Sequence, residues 1–392
     1  MSKLDRYRGC LIGGAVGDAL GYPVEFQTDS EIRAQYGPGG IVEYHLSEGW
    51  ALISDDTQMT LFTANGLLYA KTRGILRGIA APYPVYIAAC YRDWLETQQK
   101  AFPLEGGFHA SWLVNVPELF HRRAPGATCL TAIASGREGT IQHPINQSKG
   151  CGGIMRVAPI GLYLDRPGAA GHLAAETAAL THGHELGWLP AGVLAYCISV
   201  LAHGDDISLL AAIQKAMVWA ERTFSCSKYL ETLTTLIDRA VSLAQGDAED
   251  REAISALGEG WVAEETLAIA VYCVLRHSPD FDSALIAAVN HSGDSDSTGA
   301  VTGNLLGASL GLEKIPAKYL EHLELKDVVL ELADDLYADC KARQTVTSAQ
   351  ENGHTVIRLD DACDPVWEAK YVTAIYGPGR TPPAASASPQ EG

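Results

Sequence analysis

No Cys-x-x-Cys pair occurs in these 392 residues, and the nine cysteines are an odd number scattered from Cys10 to Cys363. That excludes a zinc ribbon and a disulfide framework, and it points to a reducing, cytoplasmic setting. Basic residues are scarce: 29 Lys and Arg against 47 Asp and Glu leave a formal net charge of −18. Such a field repels phosphate backbones and anionic lipid, which excludes nucleic acid and membrane surfaces as main partners. Long apolar runs are missing too. The longest uncharged run, residues 186–202, holds Gly187, Pro190 and Gly192 and is short for a bilayer span, so it reads as a buried helix. Residues 1–8 are polar and do not resemble a signal peptide.

What the chain does have is two short acidic clusters far apart in sequence. One is Ser54-Asp55-Asp56-Thr57-Gln58, the other Gly293-Asp294-Ser295-Asp296-Ser297-Thr298-Gly299. Either alone would serve as a helix cap, because Ser, Thr and Asp dominate that position. Together they offer four carboxylates and several hydroxyls with no thiolate, a hard oxygen set that suits Mg²⁺ or Mn²⁺ better than Zn²⁺. Two carboxylate pairs suit two neighbouring ions, which polarise oxygen leaving groups and activate water. Clustered metal ions would also let so acidic a chain accept an anionic substrate.

Helical periodicity dominates the chain. Apolar residues recur at three- and four-residue steps over 7–21, 57–70, 84–98, 169–180, 189–203, 207–220, 228–244, 263–277, 281–289, 297–312 and 325–343. The expected fold is all-α: one helical bundle over 1–345, without a linker and with a dinuclear metal site. A C-terminal appendage follows over 346–375, with a small hairpin at 355–359 after Asn352-Gly353. Residues 376–392, rich in Pro, Ala, Ser and Gly, read as a disordered tail.

Glycine is placed oddly. Gly9, Gly13, Gly17 and Gly21 recur at every fourth residue, and so do Gly299, Gly303, Gly307 and Gly311. Each costs roughly 0.5–1 kcal/mol in a helix interior, so the stripes need a packing reason. They predict two central helices whose faces admit close backbone approach, with the helices after the two acidic clusters converging N-terminus first on one site. A third glycine cluster, Gly150-Cys151-Gly152-Gly153, follows Ser148-Lys149 and precedes an apolar stretch. It lacks the ending of a Walker loop, and it reads either as a turn or as a loop presenting N–H groups to an anion.

Taken jointly, residues 7–21, both acidic clusters, residues 150–161 and Thr181-His182-Gly183-His184 resemble the ADP-ribosylglycohydrolase family, in that family's order. The resemblance implies a compact all-α domain holding two Mg²⁺ or Mn²⁺ ions. It implies hydrolysis of the bond between ADP-ribose and a protein side chain or small acceptor, with ADP-ribosyl-arginine the first guess. Ser54, Asp55, Asp56, Asp294, Asp296 and Ser297 resemble its metal ligands. Glu25 resembles the acid at the scissile linkage, so that Glu25 or a metal-bridging aspartate, Asp55 or Asp296, assists proton transfer. Ser148, Gly150, Gly152, Gly153 and His182 resemble the contacts to the ADP portion, although Cys151 stands where the family commonly has Asn. Two other readings stay open: an ADP-ribose binder or immunity-type protein with a toxin partner, and a metal-dependent phosphohydrolase.

Overall fold

The glycine stripes pack against each other. The structure, a computed structural model, describes residues 1–378 except 352 and 353, and residues 344–347 and 349–361 by backbone alone. Helix α1 (Lys3–Gly21) and helix α14 (Ser295–Leu310) cross antiparallel, Gly9 facing Gly307, Gly13 facing Gly303 and Gly17 facing Gly299. A Cβ on any of these six would stand less than 3.0 Å from backbone atoms of the opposite helix. Only glycine admits that approach. The Asn304 side chain bridges the same contact, donating to the Cys10 carbonyl at 2.8 Å.

Around this pair lie α2 (Asp29–Tyr36), α3 (Asp55–Arg77), α4 (Tyr83–Gln99), α5 (Ala127–Ala134), α6 (Ala158–Tyr163), α7 (Pro167–Ala179) and α8 (Glu185–His203). Then come α9 (Leu209–Thr223), α10 (Leu230–Gln245), α11 (Asp250–Leu257), α12 (Ala263–His277) and α13 (Phe281–Val289). After α14 follow α15 (Ala317–Leu320), α16 (Lys326–Ala338), strands β1 (Ala342–Glu351) and β2 (His354–Cys363), and α17 (Pro365–Tyr371). The fold is all-α with one antiparallel hairpin, as the periodicity predicts. Helix α8 is long and apolar enough to cross a membrane, but 89% of its apolar window is buried among the other helices. It is a core helix of this fold.

Three expectations shift. The helix read over 325–343 stops at Ala338, where Asp339 takes a positive φ of 57°, and the chain turns into β1. The hairpin is longer than its signal: β1 and β2 pair from Ala342↔Cys363 to Glu351↔His354. Finally, residues beyond the hairpin are seated on the bundle. Trp367 Nε1 donates to Thr72 Oγ1 at 2.9 Å, and both Lys370 (2.5 Å) and Tyr371 (2.7 Å) reach Asp335 Oδ2. Tyr376 stands edge-on to Trp112, so the ordered body extends past the expected start of the tail, and residues 379–392 lie outside the described residues.

Candidate active site

Both acidic clusters are helix N-termini, and the α1–α14 crossing places them together. On α3, Ser54 is the N-cap and its Oγ accepts from Asp56 N–H at 3.2 Å. On α14, Asp294 is the N-cap and accepts from Ser297 N–H at 3.3 Å, while Asp296 accepts from the same N–H at 2.9 Å. The capping chemistry and the clustering are thus both real. The helices begin earlier than the periodicity suggests, so Asp55, Asp56 and Asp296 sit in first turns rather than in loops. There the helix dipoles favour negative charge. Asp18, on α1, ties α1 to the start of α3: its carboxylate accepts from Ser54 N–H at 2.9 Å and from Thr57 N–H at 3.0 Å.

Glu25, Asp55, Asp56, Asp294, Asp296 and Ser297 line one cleft of about 290 Å³, together with Gly150, Gly152 and His182. Ser54 does not reach it; fully buried, it caps α3 behind the carboxylates. Ser148 borders an adjoining hollow of about 350 Å³ and meets Thr128, which lines both, at 3.2 Å. Gly153 faces away from the cleft, where a Cβ would collide with the Gly187 carbonyl at 2.8 Å. The N–H groups of Gly150 and Cys151 are already engaged, by Ser148 Oγ and the Trp261 carbonyl, so neither is free for an anion.

The electrostatics are those of crowded, dehydrated acids. Burial first, and then the charge of Asp296, hold Asp56 and Asp294 well above the usual carboxylate range. Asp55 is raised by burial in spite of the Gly126 N–H it accepts at 3.1 Å. Glu25 is pushed up by burial and by Asp296, Asp294, Asp55 and Asp18 together. So many carboxylates cannot all ionise in one buried cluster without cations.

Among the described residues no three His, Cys, Asp or Glu side chains stand as a ready-made ion cage. The donor set nevertheless fits hard divalent ions. Among the described residues Asp56 Oδ2 and Glu25 Oε2 are buried with no hydrogen-bond partner, which is costly unless a cation or a substrate group meets them. Burial first, and then the neighbouring Asp294 and Asp56, push the Cys151 thiol well above its ordinary value, which disfavours a nucleophilic thiolate.

Periodicity and motifs miss several parts of this site. Asp18 had a signal, a lone acid inside a glycine-striped helix. Phe26 had none: it takes a positive φ of 68° and stacks on Trp261 at 5.4 Å, and the two rings border the cleft. His184, by contrast, caps α8 and packs its ring against Tyr229 at 4.4 Å.

The model of the ADP-ribosylglycohydrolase family matches residues 1–345. The chain belongs to that family. This ADP-ribosylglycohydrolase is 27% identical over 330 residues to the ADP-ribosyl-[dinitrogen reductase] glycohydrolase of Rhodospirillum rubrum, covering 82% of this chain and 91% of the relative. To human ADP-ribosylhydrolase ARH3 it is 28% identical over 352 residues, covering 82% and 90%. To the ADP-ribosylarginine hydrolase Tri1 of Serratia proteamaculans it is 24% identical over 344 residues, covering 86% and 80%. A solved structure described as an ADP-ribosylglycohydrolase-related protein complex superposes with a TM-score of 0.60 at 24% identity, over 86% of this chain and 98% of that one. That likeness bears on the fold alone. This ADP-ribosylglycohydrolase is therefore a hydrolase of glycosidic bonds.

Proposed function

We propose that this enzyme uses two Mg²⁺ or Mn²⁺ ions to release ADP-ribose from an ADP-ribosylated protein side chain or small acceptor, ADP-ribosyl-arginine foremost. The observation that carries the reading is the pair of orphaned buried oxygens, Asp56 Oδ2 and Glu25 Oε2, in a cleft of mutually raised carboxyls. Asp55, Asp56, Asp294, Asp296 and Ser297 are the residues that would hold the ions, with Ser54 acting from behind. When bound, the ions supply positive charge that neutralises these acids and polarises sugar hydroxyls. The arginine assignment is supported by the likeness to the ADP-ribosylarginine hydrolase of Serratia proteamaculans. Nine unpaired cysteines support work in a reducing cytoplasm.

The chain's own groups suit the proton transfers. Glycosidic hydrolysis adds water at the anomeric carbon of ribose, and the departing acceptor takes a proton. Glu25 sits at the C-cap of the short turn Tyr22–Val24 and lines the cleft, where burial, the first cause raising its pKa, favours the protonated carboxyl. In this reading Glu25 gives that proton and afterwards takes one from water. Gly152 brings the backbone under His182, since a Cβ there would press on the ring at 2.9 Å.

The test is a panel of ADP-ribosylated arginine, serine and small-molecule substrates, assayed for product identity. Free ADP-ribose from the arginine substrate supports the proposal. AMP as the product would instead mark a phosphohydrolase, and binding without any product would mark an ADP-ribose binder.

A further inference from the structure

One wall of the cleft is backed by a cation that the proposed reaction does not use. Arg156 is fully buried, and among the described residues no carboxylate pairs with it. Burying an unpaired guanidinium is costly, so its surroundings are informative. It lies over the Tyr91 ring, 4.4 Å from the centroid. It donates to Met59 Sδ at 3.4 Å, Cys129 Sγ at 3.5 Å, the Thr177 carbonyl at 3.4 Å and Thr181 Oγ1 at 2.6 Å. Only the bond to Thr181 is short.

That bond settles the next one. A guanidinium has donors and no acceptor, so Thr181 Oγ1 accepts from Arg156 and has one hydrogen left to give. His182 Nδ1 stands 2.8 Å away and is the best-placed acceptor: the Ala178 carbonyl stands at 3.5 Å, and the Cys129 sulfur, which Thr181 also meets, accepts only weakly. Thr181 therefore donates to Nδ1. The imidazole is neutral, because burial first and the charge of Arg156 second lower its pKa to about 3. Its single hydrogen is left on Nε2. Nε2 borders the cleft, 3.4 Å from where a Cβ on Gly150 would stand, and has no protein partner among the described residues.

We propose that Arg156 and Thr181 are positioning residues that lock His182 as the neutral Nε2–H tautomer, presenting a fixed donor to an oxygen of the substrate's diphosphate. The inference rests on the ADP-ribosyl reading of the cleft. The opposite tautomer would aim a lone pair at the anion and repel it. A charged imidazolium would be drawn to the crowded carboxylates instead. A neutral N–H donor held by a buried cation avoids both, and the buried charge of Arg156 adds a favourable field for the anion at no cost in motion.

The experiment combines imidazole ¹⁵N NMR with ADP-ribose calorimetry at neutral pH. In the wild type the His182 signals, assigned by their loss in His182→Gln, should show Nδ1 bare and Nε2 protonated. Thr181→Val should weaken ADP-ribose binding about tenfold and raise KM with kcat within a fewfold, the loss expected for one well-placed hydrogen bond. Thr181→Ser should restore both. If Thr181→Val does not fold, the wild-type spectrum and Thr181→Ser still decide. An Nδ1–H or doubly protonated ring in a protein that binds ADP-ribose overturns the relay alone, as does Thr181→Val binding like wild type. A protein with the Nε2–H spectrum that neither binds ADP-ribose nor cleaves its conjugates overturns the reading of the cleft, and the ligand with it.

Discussion

Asp296 is the charge that its neighbours feel most. After burial itself, it is the next cause raising Asp18, Glu25, Asp56 and Asp294. Asp296→Asn should therefore cut turnover by about 10²-fold or more, the scale of losing one placed charge. In chelator it should leave the melting temperature unchanged or higher, because a repelling charge has gone. Turnover within a few-fold of wild type would return Asp296 to a helix cap. Asp93 offers a pH test far from this chemistry. Burial raises its pKa to about 7 against the Ala110 and Ser111 N–H groups it accepts. An acid raised on folding stabilises below its unfolded value, near 3.8, and that contribution is lost as pH climbs to about 7. Asp93→Asn should flatten this fall and be the more stable form above pH 7, by about 1–4 kcal/mol. Melting curves across that range check it; parallel curves would mean that Asp93 is ionised in the fold. Most of the acids were legible as residues because carboxylates with hydroxyls at short spacing are rare. Arg156, Phe26 and Trp261 were not, since their roles come from neighbours distant in the chain.

At the scale of elements, the glycine stripes were the strongest signal in the sequence and named both helices of the central crossing. What they could not give was register: that Gly13 meets Gly303 follows from antiparallel packing seen only in three dimensions. Gly303→Ala should destabilise, because its Cβ meets the Gly13 carbonyl, and Gly303→Leu should do so more severely. Overpacking costs about 1–3 kcal/mol or more, whereas Gly→Ala on an exposed face would stabilise. Thermal melts of the two variants give the sign, and equal or raised melting temperatures would contradict the crossing. The short helices α2, α5 and α11 escaped periodicity because 8 residues span barely two turns. The first turns of α3 and α14 escaped it for another reason: their acidic residues break the apolar pattern where the site begins.

Taken as a whole molecule, the bundle carries an excess of acid and gathers part of it at one cleft. The C-terminal segment is part of that body. Trp367 is 2% exposed and closes the surface of α3, so Trp367→Ala should cost about 3–5 kcal/mol by chemical denaturation. A loss under about 0.5 kcal/mol would mark the segment as a loose attachment. Sequence composition alone gave no sign of this docking, because Lys370 and Tyr371 find Asp335 across 35 and 36 residues. The most direct test of the proposed chemistry is ADP-ribose release from ADP-ribosyl-arginine by metal-stripped protein, followed through addition of Mg²⁺ or Mn²⁺. No turnover in chelator, a lowered melting temperature, and recovery of both on adding the ion are the expected results. Full turnover in excess chelator would contradict the metal-dependent mechanism outright.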